Sequence, residues 1–331
     1  IEAKNLITLT ALDNLQDNIT LDFAGLTTDS VFVNGKKETF TQSSDQLNIE
    51  ISENFSDGDS VHIGVYYHGR PAKGIYFRTN SYGDTVIYSH NEPYDARYWI
   101  PCKDDPSDKA LLDFTIKIPE KYIPLSNGVV MEDVVSADGS RTIHWRESLP
   151  IATYLISVAA APYTVVDYEY FWEQSQMPLL YYVYPPDRDL AEKGLLSSQK
   201  ILDFFSSYIG VYPFLNEKYA MSAVPFREAA AMENQTATTM RDNLIDNEGV
   251  IAHELAHQWW GDALTPQSFD HIWLNEGFAS YFDAMFTENE YGDEAFAKQM
   301  AAYKSYIFQD GSSAYPILYP PAEYLFGRAV Y

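Results

Sequence analysis

The chain has 331 residues, 22 basic against 47 acidic, and a formal charge of -25. That balance argues against a nucleic-acid or anionic-lipid surface, since both need clustered Lys and Arg. No apolar run approaches the ~20 residues of a membrane-spanning helix, and a single cysteine, Cys102, leaves no intrachain disulfide, thiolate zinc cluster or CxxC redox motif.

In chain order, apolar residues alternate with polar ones in Ile19-Leu21-Phe23, Leu47-Ile49-Ile51, Val61-Ile63-Val65 and Phe114-Ile116-Ile118, which predicts strands with one buried face. Asn34-Gly35, between Val31-Phe32-Val33 and Thr39-Phe40, predicts a tight hairpin, because both turn residues accept positive φ. The stretch Tyr154 to Ala160 reads as the last strand of this β-rich part. The polar-aromatic segment from Asp167 to Gln176 then marks a change of character, so residues 1–167 and 168–331 are expected as two domains. A strand from Leu179 to Tyr184 follows, and Leu195, Ile201, Leu202 and Phe205 carry helical spacing through Leu190 to Tyr208. There is no internal repeat or low-complexity segment, and Cys102, His62, His68, His90, His144 and His271 read as structural or exposed.

The chemistry concentrates between His253 and Glu276. His253-Glu254-Leu255-Ala256-His257 sets two imidazoles four residues apart, one turn apart on one helical face, with Glu254 beside them. The helix is expected to run from Asn247 as N-cap to Gly261, with Ile251, Leu255 and Trp259 on its apolar stripe. A catalytic zinc takes a third protein ligand and leaves one position for water. Glu276 is that candidate: the turn Thr265-Pro266-Gln267-Ser268 and the apolar run Ile272-Trp273-Leu274 form a helix hairpin able to return it to the histidines. Glu254, adjacent but not a ligand, is the expected general base. Asp283 lies two turns beyond Glu276 and either orients a ligand histidine or faces solvent. Upstream, Ala229-Ala230-Ala231-Met232-Glu233-Asn234 sets a carboxylate among small residues, as a plain strand edge or as a surface an extended substrate approaches with its amine on Glu233.

These residues together resemble the zinc aminopeptidase (gluzincin) family of aminopeptidase N and the leukotriene hydrolase. The resemblance rests on HExxH, eighteen residues, then Glu within Trp273-Leu274-Asn275-Glu276-Gly277, and on a Gly-x-Met-Glu-Asn signature that maps onto Ala230-Ala231-Met232-Glu233-Asn234 with Ala in place of the leading Gly. It implies an α+β multidomain fold, with a saddle-like β-rich amino-terminal domain and a thermolysin-like mixed α/β catalytic domain that is incomplete at its carboxyl end. It also implies one zinc per chain on His253, His257 and Glu276, and a peptide substrate whose free amino terminus sits between Glu233 and Glu92, the latter within Tyr88-Ser89-His90-Asn91-Glu92-Pro93. Tyr331, after Gly327-Arg328-Ala329-Val330, matches the lead-in to the family's oxyanion-binding tyrosine.

The abrupt start at Ile1 and the end at Tyr331 suggest a processed or excised piece lacking the helical domain the family carries after this point. Compartment is unknown, with a soluble, exported protein expected over a cytoplasmic one. The leading expectation is removal of amino-terminal residues from peptides. The alternatives are a non-catalytic peptide-binding fragment and, below it, a bifunctional epoxide hydrolase.

Overall fold

The computed structural model describes residues 1–308 apart from Asp13, Asn14 and Gln16, so the expectation for Tyr331 lies outside the described residues. The first strands are β1 (Glu2–Thr10), β2 (Asn18–Asp22), β3 (Thr27–Val33), β4 (Lys36–Glu38), β5 (Phe40–Gln42), β6 (Gln46–Glu50) and β7 (Ser60–His68). They form two sheets in the orders β1-β7-β3-β4 and β2-β6-β5. The alternation in the sequence closes a core between them, with Ile19, Leu21, Val31, Leu47, Ile49, Val61, Ile63 and Val65 all buried. Val33 pairs with Lys36 across the Asn34-Gly35 turn, whose φ values of 48° and 81° are those of a two-residue hairpin loop.

The next strands are β8 (Gly74–Thr79), β9 (Thr85–His90), β10 (Lys109–Pro119), β11 (Ile123–Ser126), β12 (Val129–Val135), β13 (Ser140–Ala152) and β14 (Val158–Ala161). They pair as β11-β14-β9-β8 and β10-β13-β12. The strand expected over Tyr154 to Ala160 is shorter, because Thr153–Leu155 is a 3-10 turn and only Val158–Ala161 pairs. Side chains take over the backbone there. Asn91 donates to the Ile156 carbonyl at 2.6 Å, Asn127 donates to the Leu155 carbonyl at 3.0 Å, and Ser157 N–H donates to Asn127 at 2.7 Å, so no ladder partner is needed.

A mixed sheet follows, built from β15 (Thr164–Trp172), β16 (Ser175–Val183), β17 (Tyr219–Val224), β18 (Ala231–Met232) and β19 (Ala237–Arg241), in the order β15-β16-β17-β19-β18. Its helices are α1 (Arg188–Tyr208), α2 (Glu248–His257), α3 (Trp273–Tyr291) and α4 (Asp293–Phe308). None of the described helices is long and apolar enough to cross a membrane. Asp167 falls inside β15, every residue of which pairs with β16, so on sheet membership we propose the domain boundary between Ala161 and Thr164. One apolar core nonetheless runs through both sides of that boundary, from Val86, Tyr88 and Leu125 to Leu179, Tyr181, Leu202 and Ile251.

The same boundary carries a buried ionic cluster. Glu147 of β13 and Glu217 and Lys218 just before β17 are all buried. Lys218 Nζ donates to the carbonyls of Ser126 (2.9 Å) and Thr236 (3.1 Å), Thr236 Oγ1 donates to Glu147 at 3.3 Å, and Ser148 N–H donates to Glu217 at 2.7 Å. Burial pushes the Glu147 carboxyl up to about 8, helped by the hydrogen bond and charge of Glu217 and opposed by Lys218. Burial likewise draws Lys218 down to about 7, against the pull of both glutamates. Between pH 4.5 and 7 the folded chain therefore keeps a proton on Glu147 that the unfolded chain has lost, and the contribution of this group to stability declines as pH rises. Glu147→Gln removes that titration. In urea denaturation of both proteins across this window, wild-type stability relative to the variant should fall with rising pH, and a constant or growing difference would contradict the raised proton affinity of Glu147.

Candidate active site

Local sequence fixes α2. Asn247 caps α2, its side chain accepting from Val250 N–H at 3.1 Å, and Ile251, Ala252, Leu255 and Ala256 are buried against the core. The helix ends at His257, short of the expected Gly261. Gln258 and Trp259 switch to tighter bonds onto Leu255 and Ala256, and the Asp262 N–H turns back to the His257 carbonyl. Gly261 sits in that turn at φ 129°, and a Cβ there would come within 2.2 Å of Asn275 Oδ1, so the position requires glycine twice over. The sharp turn and the short helix Phe269–His271 lead into α3, whose first turn carries Glu276.

α2 and α3 bring three candidate ligand atoms together. The Nε2 atoms of His253 and His257 lie 3.0 Å apart, and Glu276 Oε2 is 3.4 Å and 3.6 Å from them. A tetrahedral zinc with bonds near 2.1 Å needs ligand separations of about 3.4 Å. Each imidazole is held from its far nitrogen, His253 Nδ1 by Asp283 Oδ2 at 3.3 Å and His257 Nδ1 by Asn275 Oδ1 at 2.6 Å and the Trp260 carbonyl at 3.1 Å. With those Nδ1 atoms donating, both Nε2 lone pairs face one point, together with a buried Glu276 Oε2 that has no hydrogen-bond partner. Three electron-rich atoms this close repel unless a cation lies among them, so the donor set fits a divalent metal. The electrostatics agree: burial opposes a positive charge on His253, but Asp283 and Glu276 outweigh it and hold the imidazole's affinity for a proton well above the ordinary range. For Glu276, burial would raise the carboxyl, and His257 and His253 overcome that to hold it low.

Glu254 is buried beside His253. Burial raises its carboxyl well above the usual range, as do Glu233, Glu276 and Asp283, against the pull of His253. A carboxylate so placed accepts a proton readily. Glu233, 3% exposed, follows β18, which pairs antiparallel with β19 and, among the described residues, lies at the edge of the sheet. Its Oε1 accepts from Asn275 Nδ2 at 3.0 Å and its carbonyl accepts from Gln258 Nε2 at 3.0 Å. Ala230 is exposed before the strand, Ala231 lies on it, Met232 is buried in the core, and Asn234 is fully buried, bonded to Thr239 at 3.0 Å and the Leu155 carbonyl at 3.3 Å. Met232 and Asn234 thus hold the strand end that carries Glu233.

Glu92, on the loop after β9, reaches the same place. One oxygen each from Glu92, Glu233 and Glu276 lies within 4.8 Å of the others, and Glu92 Oε1 is buried with no hydrogen-bond partner. Burial raises the Glu92 carboxyl, and the charges of Glu233, Glu276 and Glu254 raise it further. Its loop is anchored by Asn91, which accepts from Trp99 Nε1 at 2.7 Å.

Two residues that sequence reasoning passed over prove central in position. Asn275 accepts from His257 and donates to Glu233, tying the metal ligand to the proposed amine-binding carboxylate. Gln258 accepts from Tyr212 hydroxyl at 3.1 Å and Thr236 N–H at 3.0 Å while donating to the Glu233 carbonyl. Each adjoins a predicted ligand, and that adjacency was the available signal.

The Peptidase M1 N-terminal domain profile matches residues 1–155, and the Peptidase family M1 domain profile matches residues 194–315. An aminopeptidase N of Acetobacter pasteurianus is 30% identical over 290 residues, covering 80% of this chain and 80% of its own length. The glutamyl aminopeptidase of Mus musculus is 32% identical over 212 residues and the aminopeptidase M1 of Arabidopsis thaliana 32% over 233. Those matches take in 60% and 66% of this chain but only 22% and 26% of the relatives' own length. The fold is similar to that of an M1 zinc metallopeptidase from Deinococcus radiodurans, with a TM-score of 0.82, 22% identity and coverage of 100% of this chain and 75% of the other. With both of its halves matched and a relative covered over four fifths of its length, this chain belongs to peptidase family M1.

Proposed function

We propose that the protein is a zinc-dependent aminopeptidase that removes the first residue of a peptide. The observation that carries this reading is that one oxygen each of Glu92, Glu233 and Glu276 lies within 4.8 Å of the others, which sets the carboxylate pair Glu92 and Glu233 beside the candidate metal ligands. A cationic amine bound by two buried carboxylates forms charge-assisted hydrogen bonds, and the short span from there to the ligand set leaves room for one residue before the scissile bond. An endopeptidase needs the opposite, a cleft open on both sides.

His253, His257 and Glu276 would hold the metal, which supplies a Lewis acid for the scissile carbonyl and for an attacking water. Glu254 takes the proton from the water and returns it to the leaving amine, a role suited to a carboxyl whose proton affinity its surroundings raise. Asp283 and Asn275 hold the two imidazoles with Nε2 inward. The free edge of β18 offers backbone groups to an extended substrate, which orients the carbonyl relative to Glu254. Tyr331 is proposed, from its place in the family pattern, to donate to the developing oxyanion.

Purified full-length protein assayed with aminoacyl-coumarin substrates, with and without a chelator, should show metal-dependent release of the fluorophore. Metal-loaded protein silent towards every substrate would instead favour a peptide-binding role. Glu254→Gln should retain one zinc per chain, measured by elemental analysis, while turnover drops roughly 10²–10⁴-fold; undiminished turnover would remove Glu254 from the chemistry. Acetylating the substrate's amino terminus should lower kcat/KM by at least about 100-fold through loss of its charge-assisted bonds, and equal cleavage of blocked and free peptides would rule out the exopeptidase reading.

A further inference from the structure

The two ligand imidazoles are braced differently. His257 is held by a short bond to Asn275, which lies next to Glu276 on α3. His253 depends on Asp283, and the 3.3 Å between Asp283 Oδ2 and His253 Nδ1 is longer than the usual N–H···O range, so that contact alone does not fix the carboxylate. Asp283 is fixed from its other side. The Tyr303 hydroxyl donates across both of its oxygens, at 2.8 Å to Oδ1 and 2.9 Å to Oδ2, and Gln299 Nε2 donates to Oδ1 at 2.5 Å. Both donors come from α4, four residues apart and so on one face of it, and Gln299 Nε2 also lies 2.9 Å from the Tyr303 oxygen.

We infer that α4 belongs to the metal site, with Tyr303 and Gln299 acting as positioning residues that clamp Asp283 and through it aim His253 at the metal. The inference rests on the metal reading of His253, His257 and Glu276. Asp283 is 4% exposed, and a buried carboxylate left without donors would swing to find them or take up a proton, and in either case would release the His253 ring. The tyrosine is suited to the task, because burial and the Asp283 charge both hold its hydroxyl in the protonated, donating form. Gly292, at φ 83°, makes the break between α3 and α4 that folds the second helix back along the first. A residue some twenty positions beyond Asp283 can thereby reach the same carboxylate as the ligand helix.

The test is zinc affinity of the full chain by competition with a chromophoric chelator, together with the visible ligand-field spectrum of the cobalt-substituted protein. Tyr303→Phe, which removes only the hydroxyl, should weaken zinc binding by about tenfold and shift the cobalt bands, with the far-ultraviolet circular dichroism unchanged. Gln299→Leu should act in the same direction, and decides the matter alone if Tyr303→Phe does not fold. Wild-type affinity and an unshifted cobalt spectrum in the folded variants would overturn the inference while leaving the metal reading intact. Wild-type protein that takes up no zinc would remove both.

Discussion

The carboxyl-terminal half answers to one constraint: three electron-rich atoms, two imidazole nitrogens and a carboxylate oxygen, lie within 3.0 to 3.6 Å of one another. Such a cluster is repulsive until a cation joins it, and it persists only because the surrounding fold over-determines each ring and carboxylate. The capped start of α2, the glycine turn at Gly261 that admits Asn275, and the α3 hairpin all serve that convergence. Where α2 stops matters as much as where it begins. Gln258, the cap residue that follows α2, sends its side-chain amide to the Glu233 carbonyl at 3.0 Å, and the chain turns back beyond it at Asp262.

The second constraint is that the carboxylate pair beside the metal site is split between two sheets. Glu92 comes from the β8–β9 side and Glu233 from the edge of the mixed sheet, so their separation depends on how firmly the halves are joined. The seam is correspondingly dense. Asn127 donates to Leu155 and Gln235 carbonyls, Lys218 spans Ser126 and Thr236, and Thr236 passes to Gln258 and so to the Glu233 carbonyl. Buried ionic and amide networks of this kind give little net stability but penalise displacement, because each lost partner leaves a desolvated polar atom behind. Rigid placement of one carboxylate relative to another is the property that such a seam supplies.

How much of this was legible depended on the range of the signal. Strand alternation at Leu47-Ile49 and Val61-Ile63-Val65 and the Asn34-Gly35 turn are local patterns, and the elements stand where those patterns put them. The spacing of His253 and His257 is local as well, since helix geometry converts sequence distance into direction, whereas Glu276 comes from a second helix and arrives through the turn between them. The strand expected through Tyr154 failed because its backbone partners are side chains more than twenty-five residues away, Asn91 and Asn127, which no window of sequence displays. Asn275 and Gln258 were hidden for a different reason. Each does its work through an amide that both donates and accepts, and composition cannot distinguish such an amide from one that faces water.

The negative charge of the chain finds its sharpest expression inside rather than on the surface. Glu92, Glu233, Glu254, Glu276 and Asp283 gather near two histidines with Asp262 close by; among the described residues buried Lys218 is engaged by carbonyls and by Thr236, and half-buried Lys109 donates to the Asp262 carbonyl. Burial and mutual repulsion raise the carboxyls of Glu92, Glu254 and Asp262, and both Asp262 oxygens lack a hydrogen-bond partner. A site so deficient in positive charge is stabilised by whatever cation it admits. A metal held as we propose would satisfy Glu276 and the imidazoles and leave the Glu92–Glu233 end without a cation. An ammonium group at the end of a peptide is the right size and charge to fill that deficit, whereas an amide or a second carboxylate is not. The selection for a free amino terminus that we propose rests on this charge deficit, since the fold holds the two carboxylates together at a cost that a bound cation would offset.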